Sequence, residues 1–186
     1  MITKHGADMK FLICADLHGS AREALRLKEN FIKEKADYII LLGDVYNHGP
    51  RNALPEKYAP MEVAEILNGL KDKLIVIKGN CDSEVDRMIS EFDFLESGLV
   101  VSGGKTVFLT HGHVYNKEKP FKTKTDCTVY GHFHTGFIEK KDGVTYCNTG
   151  SLSIPKNGTE KSYVVLEDGR LYLKTVEGKT LASENI

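Results

Sequence analysis

The segment Tyr38-Ile-Ile-Leu-Leu-Gly-Asp44 constrains this chain more than any other. A short continuous apolar run closed by a turn residue reads as a strand buried on both faces, the kind found inside parallel sheets. Gly43 lets the chain turn tightly where the strand stops. Asp44 is then left at the strand's C-terminal end, where open α/β sheets place their ligands. A carboxylate at the rim of a buried strand is costly unless positive charge meets it. The expectation is that two metal ions meet it, that Asp44 bridges them, and that further ligands arrive at the same rim.

The same grammar recurs on both sides. Lys10-Phe-Leu-Ile-Cys-Ala15 reads as a first strand running into Asp16-Leu17-His18-Gly19. Ser20 with Glu23 three residues on makes a capping-box pattern. Ala24, Leu27 and Phe31 give the following helix an apolar stripe. With the Tyr38–Leu42 run this makes a βαβ unit with a right-handed crossover, so Asp16 and Asp44 leave the same end of one sheet. Residues 45–60 carry Pro50, Pro55 and Pro60 and no periodicity. Loops this long in compact domains are usually functional or disordered. A helix over Met61–Leu70 leads to a third buried strand, Leu74-Ile-Val-Ile77, which ends in Lys78-Gly79-Asn80-Cys81-Asp82. Ser83 and Asp86 mark the start of another short helix.

From Gly98 the pattern becomes β-rich and largely antiparallel. Leu99–Val101 and Lys105–Leu109 form a hairpin through Gly103-Gly104. The second of these strands ends in Thr110-His111-Gly112-His113, and the next, Asp126–Tyr130, ends in Gly131-His132-Phe133-His134. Phe137–Lys140 pairs with Val144–Asn148, and Tyr163–Glu167 pairs with Leu171–Val176 through Asp168-Gly169. The predicted fold class is α/β, a four-layer α-β-β-α sandwich of two mixed sheets flanked by helices.

At 186 residues the chain suits one substantial core. The prediction is a single domain over 9–186, with residues 1–8 a frayed or start-site extension. A net charge of −1 gives no general attraction to nucleic acid or to anionic membranes. An anionic substrate therefore needs a local source of positive charge. No apolar run is long enough to span a bilayer, and no signal peptide is read at the N-terminus. The four cysteines are widely spaced, without a Cys-x-x-Cys pair, and read as mostly buried free thiols in a reduced, cytoplasmic setting.

Collected at strand ends are Asp16, His18, Asp44, Asn80, His111, His113, His132 and His134, which include five of the chain's seven histidines. Chance would scatter histidines through loops and helices. Imidazole, carboxylate and carbonyl ligands without thiolates suit manganese, iron(II), zinc or nickel. Alternate residues of an extended segment share a face, so paired motifs such as Asp16-x-His18 and His132-x-His134 bring two side chains to one region.

These blocks, Asp16-x-His18, Gly43-Asp44, Gly79-Asn80, His111-x-His113 and Gly131-His132-x-His134, resemble the signature blocks of the calcineurin-like metallophosphoesterases, in family order. Residues 47–55, 79–86 and 150–155 are similar to the small bacterial YfcE-type phosphodiesterases. The resemblance implies an α-β-β-α sandwich with two divalent metal ions, most often manganese. One ion is then held by Asp16, His18, Asp44 and His134, the other by Asp44, Asn80, His111 and His132. It also implies that a hydroxide bridging the ions attacks phosphorus in line with the leaving oxygen, with His113 and Cys81 helping to neutralise charge. Many members carry histidine where this chain has Cys81. A diester has one negative charge and needs less stabilisation than a dianionic monoester, so the expected substrate is a small phosphodiester. Alternative readings are a phosphomonoesterase or nuclease, and a non-catalytic metal-binding scaffold for protein assembly. Homo-oligomerisation is left open.

Overall fold

A computed structural model describes residues 9–186, so the extension expected over residues 1–8 lies outside the described residues. In chain order the elements are β1 (Phe11–Cys14), α1 (Ala21–Glu34), β2 (Tyr38–Leu41), α2 (Pro60–Asn68), a 3-10 turn (Lys71–Lys73), β3 (Leu74–Ile77), α3 (Glu84–Ile89) and β4 (Phe94–Leu95). They continue with β5 (Gly98–Ser102), β6 (Lys105–Leu109), β7 (Cys127–Tyr130), β8 (Phe137–Lys141), β9 (Val144–Asn148), β10 (Ser162–Glu167), β11 (Arg170–Thr175) and β12 (Thr180–Asn185).

Two mixed sheets pack face to face, with the helices on the outer face of the first. The first has seven strands in the order β12-β11-β10-β1-β2-β3-β4, the second five in the order β5-β6-β7-β9-β8. The expected parallel βαβ opening is present, with Leu12 opposite Ile39 and Cys14 opposite Leu41. Alternation along the strands divides the apolar residues between two cores. Leu12, Cys14, Ile39 and Leu41 face α1 and α2, meeting Ala24, Leu27, Val63 and Leu67. Phe11, Ile13, Ile40 and Leu42 face the other sheet, meeting Val107, Leu109, Val129 and Cys147. That is why these runs read as apolar at every position. The outer face of the second sheet is covered by loop residues: Phe121 stacks on Phe108 at 4.1 Å between ring centroids, with Tyr115 edge-on to both.

The second half is less antiparallel than its hairpins suggest. β7 lies between β6 and β9 and runs parallel to both. Hairpin signals report only pairs joined by a tight turn, whereas the β6–β7 connection runs through residues 110–126. The last hairpin also crosses back to the first sheet, where β10 pairs antiparallel with β1. β4 has two residues and β12 reads Thr-Leu-Ala-Ser-Glu-Asn. Neither shows a periodic apolar pattern, and the sequence offers no sign of them.

Candidate metal centre

All eight collected residues follow the C-terminal ends of parallel strands: Asp16 and His18 after β1, Asp44 after β2, Asn80 after β3, His111 and His113 after β6, His132 and His134 after β7. The backbone there is unusual. Asp16, His18, Asp44, His132 and His134 have φ of 57°, 49°, 55°, 65° and 58°. Left-handed backbone is uncommon outside glycine and persists where surrounding structure imposes it. Here loop-to-loop hydrogen bonds do so: the Asp16 amide donates to the Gly43 carbonyl at 3.1 Å, the His18 amide to the Asp44 carbonyl at 2.8 Å, and the His132 amide to Asp16 Oδ2 at 2.9 Å.

Two groups of acceptors converge with no proton between them. His18 Nδ1 donates to the Asn47 carbonyl at 2.7 Å and His134 Nδ1 to the Ile154 carbonyl at 2.7 Å. A carbonyl only accepts, so each neutral ring keeps its proton on Nδ1 and a lone pair on Nε2. Those two Nε2 atoms face each other at 3.2 Å, and Asp16 Oδ1 lies 3.5 Å from that of His134. Asp16 Oδ1 is buried without any hydrogen-bond partner. The second group repeats the arrangement. His111 Nδ1 donates to the Leu42 carbonyl at 2.6 Å, leaving its Nε2 facing Asn80 Oδ1 at 3.0 Å and Asp44 Oδ1 at 3.5 Å. Asp44 Oδ2 meanwhile lies 3.7 Å from His18 Nε2. Asp44 thus presents one oxygen to each group. Converging lone pairs repel unless a cation sits among them, so the donor set fits divalent metal ions.

The electrostatics agree. Burial, with the Asp44 charge adding to it, disfavours ionised Asp16 and raises it well above the usual carboxylate range, so its carboxylate can serve as an acceptor there only where positive charge offsets that cost. Burial also opposes the charge on Asp44, but positive charge at His111 or His18, together with the Cys81 amide, holds that carboxyl below its ordinary value, the effect a bound cation would have there. Burial lowers His111 and His134 to about 4, so both rings stay neutral and able to ligate well below neutral pH.

His132 is brought beside His111, with ring centroids 5.1 Å apart, and His113 stands exposed 5.4 Å from His111. The Cys81 amide donates to Asp44 Oδ1 at 2.9 Å. Its thiol, raised to about 12 by burial and then by Asp44, stays neutral. Several supporting groups are absent from the strand-end pattern. Asp82 accepts the amides of Asp44, Val45 and Gly79 at 2.9, 2.8 and 2.7 Å. Ser151 and Ser153 hydroxyls donate to the Asp16 carbonyl at 2.8 and 3.0 Å. The only sequence cue to these is their place in blocks 79–86 and 150–155. Beside the acceptors opens a cavity of about 730 Å³, lined among others by Asn80, Cys81, His132, Arg51, Phe133 and Lys156. The loop after Asp44 therefore flanks the centre.

Over residues 9–169 the chain matches the calcineurin-like phosphoesterase superfamily domain. It is 40% identical over 178 residues to phosphodiesterase YfcE of Escherichia coli K12, covering 95% of this chain and 97% of that protein. It is 26% identical over 166 residues to YsnB of Bacillus subtilis, a probable metallophosphoesterase, covering 85% of this chain and 83% of that one. The solved structure of the E. coli phosphoesterase YfcE aligns with a TM-score of 0.91 at 39% identity, covering 96% of this chain and 100% of that chain. Vacuolar protein sorting 29 of Cryptosporidium parvum shares the fold, with a TM-score of 0.63 at 21% identity, covering 96% of this chain and 97% of that chain. Opposed lone pairs that ask for cations and a family match spanning both sheets lead to one assignment: the chain belongs to the calcineurin-like phosphoesterase superfamily.

Proposed function

We propose that the protein is a metal-dependent hydrolase of small or nucleotide phosphodiesters, using two divalent ions, with manganese the first choice. Asp16, His18, Asp44 and His134 would hold one ion, and Asp44, Asn80, His111 and His132 the other. The observation that carries this reading is Asp44, whose Oδ1 lies 3.5 Å from His111 Nε2 and whose Oδ2 lies 3.7 Å from His18 Nε2. Such ions, when bound, acidify water to supply a nucleophile near neutral pH and offset charge on the phosphoryl oxygens. The chain's own residues then position and neutralise. The Cys81 amide and the Asp82 carboxylate fix Asp44 and the turn around it. His113, exposed beside His111, would donate a hydrogen bond to a phosphoryl oxygen. The neutral Cys81 thiol adds no positive charge, which favours a monoanionic diester over a dianionic monoester.

Hydrolysis of chromogenic diester and monoester substrates with added manganese, against a chelator control, tests the reading. Wild type should prefer the diester and lose activity with chelator. Asp44→Asn and His132→Ala should each lower the rate at least about 100-fold while the fold is kept, in line with the loss expected when a group acting on transition-state charge is removed. Near-normal rates in both variants overturn the assignment. A pure scaffold would show no metal-dependent rate at all.

A further inference from the structure

The cavity beside the acceptors carries positive charge from side chains outside the proposed ligand set. Arg51 and Lys156 both line it. Elsewhere basic side chains meet carboxylates, as Lys57 meets Glu62 at 2.6 Å, Lys117 meets Glu139 at 2.6 Å and Lys161 meets Glu23 at 2.7 Å. Arg51 and Lys156 have no carboxylate within 4.0 Å among the described residues, and both are exposed to the cavity side of the molecule. Their backbones are anchored to the centre from opposite loops. Arg51 belongs to a turn braced by Gly49 N donating to Asn47 Oδ1 at 2.8 Å and Asn52 Nδ2 donating to the His48 carbonyl at 2.8 Å. The Asn47 carbonyl of that turn accepts from His18. The Lys156 amide donates to the His134 carbonyl at 2.9 Å. The backbones of the two cations are thus tied to His18 and His134, the residues whose imidazoles face each other. Between the ligands His132 and His134 stands Phe133, an apolar ring 46% exposed that lines the same cavity.

A single diester phosphate brings one negative charge, which two divalent ions already exceed. Two more cations at the rim ask for a second anionic group. The volume of about 730 Å³ lies within the range of about 300–1,000 Å³ that takes ligands much larger than a phosphate. An exposed aromatic ring at the mouth offers a stacking face that water does not reward.

Building on the phosphodiester reading, we infer that Arg51 and Lys156 clamp a second phosphate next to the scissile one and that Phe133 stacks the flat group beyond it. The substrate class is a nucleoside joined through two adjacent phosphates. Each phosphorus of such a bridge carries one charge and two bridging oxygens, as a simple diester does. In the step, a water oxygen bonds to the phosphorus at the metal centre and the bond from that phosphorus to the bridging oxygen breaks. The bridging oxygen keeps the electron pair and leaves on the second phosphate, whose charge the clamp holds, while the protons of water pass to solvent. Such a leaving group departs as an anion and needs no proton donor beside it.

Calorimetric binding to the manganese-loaded protein tests this. The probes are adenosine 5′-(α,β-methylene)diphosphate, whose carbon bridge resists hydrolysis, adenosine 5′-monophosphate and inorganic methylenediphosphonate. Wild type should bind the nucleoside diphosphonate at least tenfold more tightly than the monophosphate. Arg51→Ala combined with Lys156→Ala should erase that preference, and Arg51→Gln or Lys156→Gln alone should give intermediate ratios. Phe133→Ala should weaken both nucleotides at least fivefold and leave methylenediphosphonate unchanged. The clamp is overturned if the double variant keeps the preference, or if it weakens all three probes equally. Failure of wild type to hydrolyse any chromogenic diester would overturn the phosphodiester reading instead, and the affinity ratios would still decide the clamp.

Discussion

Asp82 shows how much of the centre depends on a residue outside both acceptor groups. Its carboxylate, 7% exposed, gathers the amides of Asp44, Val45 and Gly79 and so locks the turn after β2 to the turn after β3. The two turns are in van der Waals contact through glycine: a Cβ on Gly79 would lie 2.2 Å from Asp44 Oδ1 and 2.5 Å from the Asp44 amide. Removing an acceptor from buried donors costs about 1–3 kcal/mol, and several donors share this one. Asp82→Ala should therefore lower stability by about 3 kcal/mol in urea unfolding and weaken metal affinity about 10–100-fold, the effect expected of a group that orients a ligand. Asp82→Asn, which retains one acceptor oxygen, should recover part of both. An alanine variant as stable and as tight as wild type would show that Asp44 needs no such support.

At the level of elements, α1 is held at both ends by partners far away in sequence. At its start the capping box is only half formed. The Ser20 hydroxyl accepts the Glu23 amide at a long 3.4 Å and itself donates to the Glu56 carbonyl at 2.7 Å. Glu23, fully buried, turns instead to Lys161 at 2.7 Å. A tertiary cation outcompetes the local backbone donor. At the helix end Lys35 takes left-handed backbone with φ 52°, and Glu34 reaches across to Lys174 and to the Tyr163 hydroxyl at 2.8 Å. Burial resists the charge on Glu34, but these hydrogen bonds and the charges of Lys174 and Lys10 outweigh it and hold its carboxyl below 4.5. A depressed carboxyl adds stability above its unfolded value, and that stability is lost as pH falls through the lower folded value. Glu34→Gln should thus cost about 1–2 kcal/mol at neutral pH, and the difference from wild type should shrink as pH drops below 4.5. A difference constant from pH 7 to pH 3 would rule this account out.

For the molecule as a whole, the rim between the sheets is where stability and metal binding should meet. Loops from both sheets bring buried acceptors together there, so a metal ion held by them would bind the folded chain and have no comparable site on the unfolded one. Metal at about a hundredfold over its dissociation constant adds about 2.7 kcal/mol. For a chain of 186 residues that corresponds to a rise of about 5–10 °C in the unfolding midpoint. Scanning calorimetry with manganese and then with excess chelator should show the shift appear and reverse, and an unchanged midpoint would mean that the acceptors do not bind metal. No described helix is long and apolar enough to cross a membrane.

What can be read from the residues alone is local: which apolar runs are strands, where those runs stop, and which polar side chain is left at each end, but not short or polar strands such as β4 and β12. Apolar periodicity and glycine turns depend on neighbours a few residues away, so Asp16, Asp44, Asn80 and the four paired histidines of residues 111–134 could be read from them. The resemblance implies His18 and His134 on one ion and Asp44 on both, but it is folding that brings the two rings together across 116 positions and turns one Asp44 oxygen to each acceptor group. The same holds for the placing of β10 beside β1, and for the joining of Arg51 and Lys156 at one cavity. These depend on how two sheets bury their shared faces and on where the loops are then forced to close. The left-handed backbone at Asp16, His18, Asp44, His132 and His134 follows from that closure. Asp and His tolerate such a conformation better than most side chains, and the packing of one loop on another holds them in it.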